Sequence, residues 1–149
     1  DGMATGDFED ISKGKQFSQQ LIEQGADVIM PVAGPVGTGA LAAAKEADGV
    51  AVIWVDADGF ETQPEYAEYI LTSVLKDISY AVFDVIETVV NGDFTSEAYV
   101  GTLENHGVGI APWHDFEDKV PAELNDTIDQ LREDIIDGSL VVETPNAPK

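Results

Sequence analysis

The 149-residue chain contains no cysteine, which excludes disulfide bridges, thiolate metal sites and cysteine nucleophiles. It also has no continuous apolar run long enough to cross a bilayer. Basic residues are scarce: seven Lys and Arg stand against 29 Asp and Glu, which gives a formal net charge of −22. Because a nucleic-acid-binding surface needs a basic stripe, we expect no nucleic-acid partner. The spread of acidic residues predicts a solubilising surface, with cation binding as the alternative.

The hydrophobic pattern alternates between short β-rich runs and longer helical ones, which is typical of a βαβ architecture. The segment "VAVIWVD" at 50–56 is almost entirely apolar, as expected for a central parallel strand that is buried on both faces. The length suits one domain, so we predict a single α/β region over 1–149 with a polar tail at 143–149. The predicted strands are 27–32, 50–56, 69–74, 97–103, 107–111 and 139–143. The predicted helices are 12–24, 36–47, 76–90 and 115–137, the last beginning properly after Pro121.

Ligands of open parallel sheets collect beyond the carboxyl ends of the strands, and a Gly-rich turn follows the predicted strand 27–32. This turn reads "AGPVGTG" at 33–39. It lacks the Lys-Ser or Lys-Thr of a P-loop and the spacing of the dinucleotide fingerprint, so a phosphate site is disfavoured. Two interpretations stay open: backbone N–H groups that approach a ligand closely, or a tight strand-to-helix turn without a ligand.

Two further strand ends carry charged side chains. Asp56 and Asp58 follow the strand 50–56, but an EF-hand is excluded because Phe60 and Ala67 occupy positions that need oxygen ligands. The two carboxylates either accept hydrogen bonds from ligand hydroxyl groups or are solvated in a loop. Lys76 stands where the strand "YILTSV" turns into a helix, either as a ligand donor or in a plain salt bridge.

The remaining candidate residues predict no chemistry. His106 and His114 flank "GVGIAPW" without a third metal ligand at a suitable spacing, so we expect no metal and two solvated loop side chains. Trp54 and Trp113 are expected to pack in the core or against loops. The sequence has no G-x-S-x-G elbow and no convincing nucleophile or base.

Four successive blocks of the sequence resemble those of the basic membrane protein family, the purine-nucleoside-receptor-like solute-binding lipoproteins of ABC transporters. The blocks are "GDFEDISKGKQFSQQLIEQGADVIMPVAGPVGTGALAAAKE", "VIWVDADG", "YILTSVLKDISYAVFDVI" and "GTLENHGVGIAPW". The resemblance covers residues 5–142. It implies a lobe of the type I periplasmic-binding-protein fold: a parallel sheet with helices on both faces, in three α/β/α layers. The chain resembles the C-terminal half of that family, so the N-terminal lobe and the lipid-attachment cysteine are expected outside it.

The resemblance also implies ligand-binding roles for four residues. Phe8 matches the aromatic residue that stacks on the base, and stacking suits any flat heterocycle. Gly34 matches the glycine whose backbone meets the ribose. Asp56 matches the acid that accepts hydrogen bonds from the ribose hydroxyls, and Lys76 matches the lysine that joins it there.

Gly37 and Asp58 are weaker ligand-binding candidates, and two positions depart from the family pattern. Pro35 stands where members often have glycine and removes one backbone donor from the turn. Gly59 stands where the family usually has glutamine. Both departures bear on the identity of the ligand.

By this resemblance the protein is the solute-binding component of an ABC importer, is not an enzyme and needs no cofactor. It would bind a nucleoside, expected to be a purine nucleoside, between two lobes and deliver it to the permease. It would act as a monomer outside the cytoplasm, lipid-anchored to the cell membrane or periplasmic. One alternative is a small flavodoxin-like α/β enzyme or regulatory domain that uses the Gly-rich turn with Asp56 and Asp58. A folded fragment without activity of its own is the third hypothesis.

Overall fold

A computed structural model describes residues 2–143 as a sheet flanked by helices, and within them the sheet has four strands. The strands are β1 (Val28–Ile29), β2 (Ala51–Asp56), β3 (Ile70–Lys76) and β4 (Val108–Ile110), in the spatial order β1-β2-β3-β4. The pairs β1–β2 and β2–β3 are parallel, as predicted. Ala111 N–H donates to the Ser73 carbonyl and Asp77 N–H to the Gly107 carbonyl, at 2.9 Å each. This descending register makes β4 antiparallel to β3.

The α-helices of the described residues are α1 (Ile11–Glu23), α2 (Thr38–Lys45), α3 (Gly59–Thr62), α4 (Ile78–Asn91) and α5 (Ala122–Asp137). Three 3₁₀ segments complete the helical structure, at Gly34–Gly37, Pro64–Tyr69 and His114–Lys119. Side-chain caps begin α1 and α4, because Asp10 accepts the Lys13 N–H and Asp77 accepts the Tyr80 N–H. Gly92, with φ of 82°, ends α4 at the predicted Asn-Gly stop. No helix of these residues is both long and apolar enough to cross a membrane.

The described residues fall into two compact units. The first unit comprises 2–75 and 110–117, and the second comprises 76–109 and 118–143. The core of the first unit lies where α2 covers β1 to β3, and its buried members are Ile29, Ala40, Leu41, Ala44, Val50, Val52 and Ile70. Helix α1 packs directly on α2, because a Cβ on Gly39 would overlap the backbone of Ile11 and Lys15. Glycine at this position therefore allows the two helix backbones to touch.

The second unit contains α4 and α5, and no side chain of either helix is buried. Helix α4 is rich in large apolar residues, all of them exposed: Ile78, Tyr80, Val82, Phe83, Val85, Ile86, Val89 and Val90. Just beyond the end of α5, the Leu140 N–H donates to the Asp134 carbonyl at 2.8 Å. Both helices are regular in backbone but leave their side chains accessible.

Two predicted strands are wrong. At the end of the segment 97–103, backbone N–H groups form hydrogen bonds with a side chain. Asn105 Oδ1 accepts the N–H of Thr102 at 2.7 Å and that of Gly107 at 2.9 Å. Such bonds replace a strand ladder with a turn. In 139–143 the first residues close the end of α5, since Ser139 N–H donates to Asp137 Oδ1.

Three of the predicted elements whose bounds differ from the observed ones involve a proline. Strand 27–32 shortens to β1, because Pro31 has no N–H for the ladder. Helix 36–47 begins as the 3₁₀ segment Gly34–Gly37, with Pro35 in its first turn. Segment 115–137 is divided at Pro121, and α5 begins at Ala122 as predicted. Of the predicted tail 143–149, all but Glu143 lies outside the described residues.

Candidate functional site

The Gly-rich turn lies directly after β1 and is held by the N-terminal segment. Gly34 adopts a left-handed φ of 54°, which glycine accepts without a Cβ penalty. The Val36 N–H donates to the Phe8 carbonyl at 3.3 Å, and Gly34 lies beside the same carbonyl. The Phe8 side chain itself is 68% exposed. The structure thus brings together Phe8 and Gly34, two of the residues predicted to bind a ligand.

The indole of Trp54 lies between this turn and the loop that follows β2. A Cβ on Gly37 would stand 3.2 Å from the Trp54 ring, and a Cβ on Gly59 would stand 2.8 Å from Trp54 Cβ and Cγ. Trp54 also packs against the core of the first unit, as predicted. Because both glycines have no side chain, the indole fits between the two loops and fixes their separation.

Asp56 is the last residue of β2 and has an unusual backbone conformation. Its φ is 73°, in the left-handed region, which aspartate tolerates better than most residues. Its register partner on β3 is Leu75, and the residue is exposed. The Asp56 carboxylate therefore stands at the carboxyl end of a central parallel strand, the edge of such sheets where ligands bind.

Asp58 has a structural role that the sequence did not indicate. Its Oδ1 accepts the Phe60 N–H at 3.0 Å and caps α3, and its Oδ2 lies 2.8 Å from His114 Nε2. The His114 ring stacks on the Phe60 ring with centroids 4.1 Å apart and an interplanar angle of 11°. The side chains of both Asp58 and His114 are only 20% exposed, so the prediction of a solvated loop histidine is wrong for His114. Asp58 and His114 are 56 positions apart, and no local pattern connects them.

Two other residues singled out in the sequence, Lys76 and His106, are exposed. Lys76 is the last residue of β3, belongs to the second unit and is exposed. His106 is exposed and has a left-handed φ of 59°. Within residues 2–143 no group of three or more His, Asp or Glu side chains is placed to hold a metal ion.

The sequence of the chain is similar to those of known proteins. The family model described as "Bmp: ABC transporter substrate-binding protein PnrA-like" matches residues 3–145. This chain belongs to that family. The ABC transporter nucleoside-binding protein BmpA of Lactococcus lactis is 32% identical to it over 152 residues, which cover 92% of this chain and 42% of the relative. Basic membrane protein A1 of Borrelia garinii is 29% identical, with 92% and 40% covered. This Bmp-family chain thus spans about two fifths of the length of these relatives.

Solved structures support the fold of the Bmp-family chain. An ABC transporter solute-binding protein from Aeropyrum pernix superposes with a TM-score of 0.82 at 24% identity, covering 97% of this chain and 48% of that one. One from Conexibacter woesei gives 0.76 at 25% identity, with 96% and 46% covered. The predicted fold class, an α/β lobe of the periplasmic-binding-protein type, is therefore confirmed. The chain shares its fold with about half of each solved protein.

Proposed function

We propose that this protein binds a nucleoside, expected to be a purine nucleoside, as the solute-binding component of an ABC importer. Membership of the Bmp family supports the substrate-binding role, and the Lactococcus lactis relative is named for nucleoside binding. The observation that carries the proposal is the placement of Asp56, an exposed carboxylate held in a left-handed conformation at the end of β2. A carboxylate accepts two hydrogen bonds at once and so suits the paired hydroxyls of a ribose.

The chemistry of the other predicted site residues suits the same ligand. The exposed Phe8 ring offers a flat apolar face on which a nucleobase stacks, at about 1–3 kcal/mol per base in related systems. Gly34, without a side chain, lets the turn's backbone approach a sugar closely. We assign Lys76 the role of a further hydrogen-bond donor to the sugar and keep Gly37 as a weaker contact. Asp58 is assigned the structural role set by His114.

The charge of the chain favours a neutral solute. With a net charge of −22, the protein surface repels phosphorylated compounds, so a nucleoside is preferred over a nucleotide. The Gly-rich turn also lacks the lysine that a phosphate site of the P-loop type requires. We therefore expect nucleosides to bind and the corresponding monophosphates to bind much more weakly.

The proposed mechanism is closure of two lobes around the ligand, followed by delivery to a permease. In this proposal the chain is a single region of one lobe, and a longer protein, like its relatives, would supply the other. Ligand that contacts both lobes stabilises the closed state by its difference in affinity for the two states. We propose that the protein acts outside the cytoplasm as a lipid-anchored or periplasmic monomer, without catalysis and without a cofactor.

The test is isothermal titration calorimetry on the full-length protein with adenosine, guanosine, inosine, uridine and ribose, repeated with the variant Asp56→Asn. Asparagine also tolerates the left-handed φ, so the variant removes the charge with little effect on the fold. Losing a charged hydrogen-bond acceptor costs about 1.5–3 kcal/mol, so we expect roughly 10- to 100-fold weaker nucleoside binding.

Glu61→Gln is the matched control. Glu61 is exposed in the adjacent α3, and its substitution changes the net charge by the same amount. We expect it to bind the nucleoside as tightly as the unmodified protein. Equal affinity in Asp56→Asn would refute the assigned role of Asp56, and no heat with any of the five compounds would refute nucleoside binding itself.

A further inference from the structure

Asp56 is the central residue of a strained turn. Its φ is 73°, and the Ala57 N–H donates to the Val55 carbonyl at 3.0 Å. A hydrogen bond between residues two apart, around a residue with positive φ, makes a three-residue γ-turn of a rare and strained form. Such strain persists only where the surrounding structure determines the conformation of the residue. The contacts before and after Asp56 therefore have to hold this turn.

Before the turn, the chain is held by strand pairing. Val55 is the register partner of Val74, and Trp54 is the register partner of Ser73, both on the parallel strand β3. Strand β2 is thus part of the sheet up to the residue at which the turn begins. The backbone before Asp56 cannot move to relieve the turn without breaking this ladder.

After the turn, the chain is held at Gly59. The Gly59 N–H donates to Ser73 Oγ at 2.9 Å, and a Cβ on Gly59 would stand 2.8 Å from Trp54 Cβ. Because Trp54 and Ser73 are register partners, their side chains lie on the same face of the sheet. Gly59 is in contact with both. Ser73 is itself immobilised, since it is 0% exposed and its carbonyl accepts the Ala111 N–H at 2.9 Å.

We propose that Ser73 is a positioning residue for the ligand-binding carboxylate, an inference that rests on the proposed function of Asp56. Through its hydrogen bond to Gly59, Ser73 holds Asp56 in the turn that places the carboxylate at the end of β2. Only Ala57 and Asp58 separate Asp56 from Gly59, so the chain has to turn sharply between two fixed points. Ser73 has no exposed surface and acts on a solute only through this loop.

Alanine at position 73 would remove the acceptor of the Gly59 N–H. Gly59 is buried, and a buried N–H without a partner is costly, so the loop is expected to move until this group finds another acceptor. The turn at Asp56 then loses one of its two fixed ends, and its carboxylate adopts several orientations. Affinity falls in proportion to the fraction of molecules that keep the orientation competent for binding.

The first test needs no ligand and uses ¹⁵N relaxation of the full-length protein to obtain backbone order parameters. We expect values of about 0.85 at Asp56 and Ala57 in the unmodified protein, and a fall toward the flexible range below about 0.6 in Ser73→Ala. Ser18→Ala is the matched control, because Ser18 is 5% exposed and its hydroxyl donates to the Gly14 carbonyl within α1 at 2.9 Å. The control should keep the values of the unmodified protein. Unchanged order parameters in Ser73→Ala, or an equal fall in Ser18→Ala, would overturn the proposal.

The second test is calorimetry with whichever of adenosine, guanosine, inosine and uridine binds the unmodified protein most tightly. Ser73→Ala is expected to weaken binding roughly 3- to 10-fold, whereas Ser18→Ala should bind as the unmodified protein does. A role in stability alone would leave the affinity of folded Ser73→Ala unchanged. In the background of Asp56→Gly, which has neither the carboxylate nor the strain, the same substitution at Ser73 should change affinity by less than about twofold.

The two tests distinguish a failure of this proposal from a failure of the proposed function. Unchanged affinity in Ser73→Ala, or equal weakening with and without the Asp56 carboxylate, would overturn the positioning role of Ser73. An unmodified protein that binds none of the nucleosides would refute the proposed function, and with it the role of Ser73 in binding. In that case the order parameters still decide whether Ser73 holds the turn at Asp56.

Discussion

Substituting Gly59 by alanine tests the packing of the loop that carries the proposed ligand-binding carboxylate. A Cβ on Gly59 would stand 2.8 Å from Trp54 Cβ and Cγ and 2.9 Å from Cδ1, where carbon atoms normally keep about 3.5–4 Å. Trp54 has little room to move away, because its ring is already packed against Gly37. The Gly59 backbone is held as well, since its N–H donates to the buried Ser73 Oγ at 2.9 Å.

The expected magnitude follows from two opposing effects. Overpacking of a well-packed site costs about 1–3 kcal/mol when neither neighbour can move freely. Alanine in place of glycine recovers at most about 1 kcal/mol through helix propensity and reduced freedom of the unfolded chain. The clash is the larger effect, so Gly59→Ala is expected to lower the free energy of unfolding by about 1–2 kcal/mol.

Urea unfolding followed by far-UV circular dichroism measures this difference. With m of about 2 kcal/mol/M, the midpoint should fall by about 0.5–1 M at unchanged m. The control is Gly109→Ala, because a Cβ there would meet nothing within 4 Å. We expect the control to match the unmodified protein or exceed it slightly. A Gly59→Ala midpoint equal to that of the control would refute the argument that the Trp54 indole fills the space beside Gly59.

Two further substitutions test the electrostatics and stacking of the first unit. The N–H groups of Asp10 and Glu9 donate to the Asp7 carboxylate and hold the pKa of Asp7 below its usual value. The ionised Asp7 side chain therefore stabilises the folded protein above about pH 4, and this stabilisation is lost as the pH falls through the lowered pKa. The stability difference between the unmodified protein and Asp7→Asn, measured by urea unfolding, should therefore shrink from pH 6 to pH 3, and a constant difference would contradict this. His114→Asn removes a ring stack and a hydrogen bond to a carboxylate while tolerating the left-handed φ, and should lower the free energy of unfolding by about 1–2 kcal/mol. His106→Asn, at an exposed histidine with a similar φ, is the matched control, and equal stability of the two variants would contradict the role of His114.

Much of the fold was predictable because its signals are local. The apolar run at 50–56 identified β2 within one residue, and the Asn-Gly pair identified the end of α4. The Pro at 121 likewise marked the start of α5. Each of these features is set by residues within a few positions of one another. Hydrophobic periodicity, helix stop signals and proline positions can therefore be recognised from the sequence alone.

The wrong predictions concern segments whose structure depends on side-chain hydrogen bonds or on residues distant in the sequence. The strand predicted at 97–103 has suitable β-forming residues, but Asn105 captures the backbone N–H groups that a ladder would need. The segment 139–143 is equally apolar, yet its first residues close the helix before it. The environment of His114 depends on Asp58, which no periodicity links to it. Hydrogen bonds of this kind are visible only once the chain is folded.

The two positions at which this chain departs from the family pattern expected from the resemblance have different surroundings. Gly59, where that pattern has glutamine, lies against Trp54, so a larger side chain at 59 is incompatible with this tryptophan in this position. The Gly59 departure therefore has a packing reason in this structure. Pro35 differs, because it lies in the Gly-rich turn itself and removes an N–H from the surface assigned to the ligand.

The residues that hold the loops of the candidate site can thus be distinguished from those that we propose contact the solute. Trp54 fixes the spacing of the two loops, while the contact between Asp58 and His114 fixes the loop after β2. None of these three needs to contact a ligand in order to position Asp56. If this division is right, changes at Phe8 or Pro35 would alter which solute binds and leave stability nearly unchanged. Changes at Trp54 would lower both stability and affinity, for every solute alike.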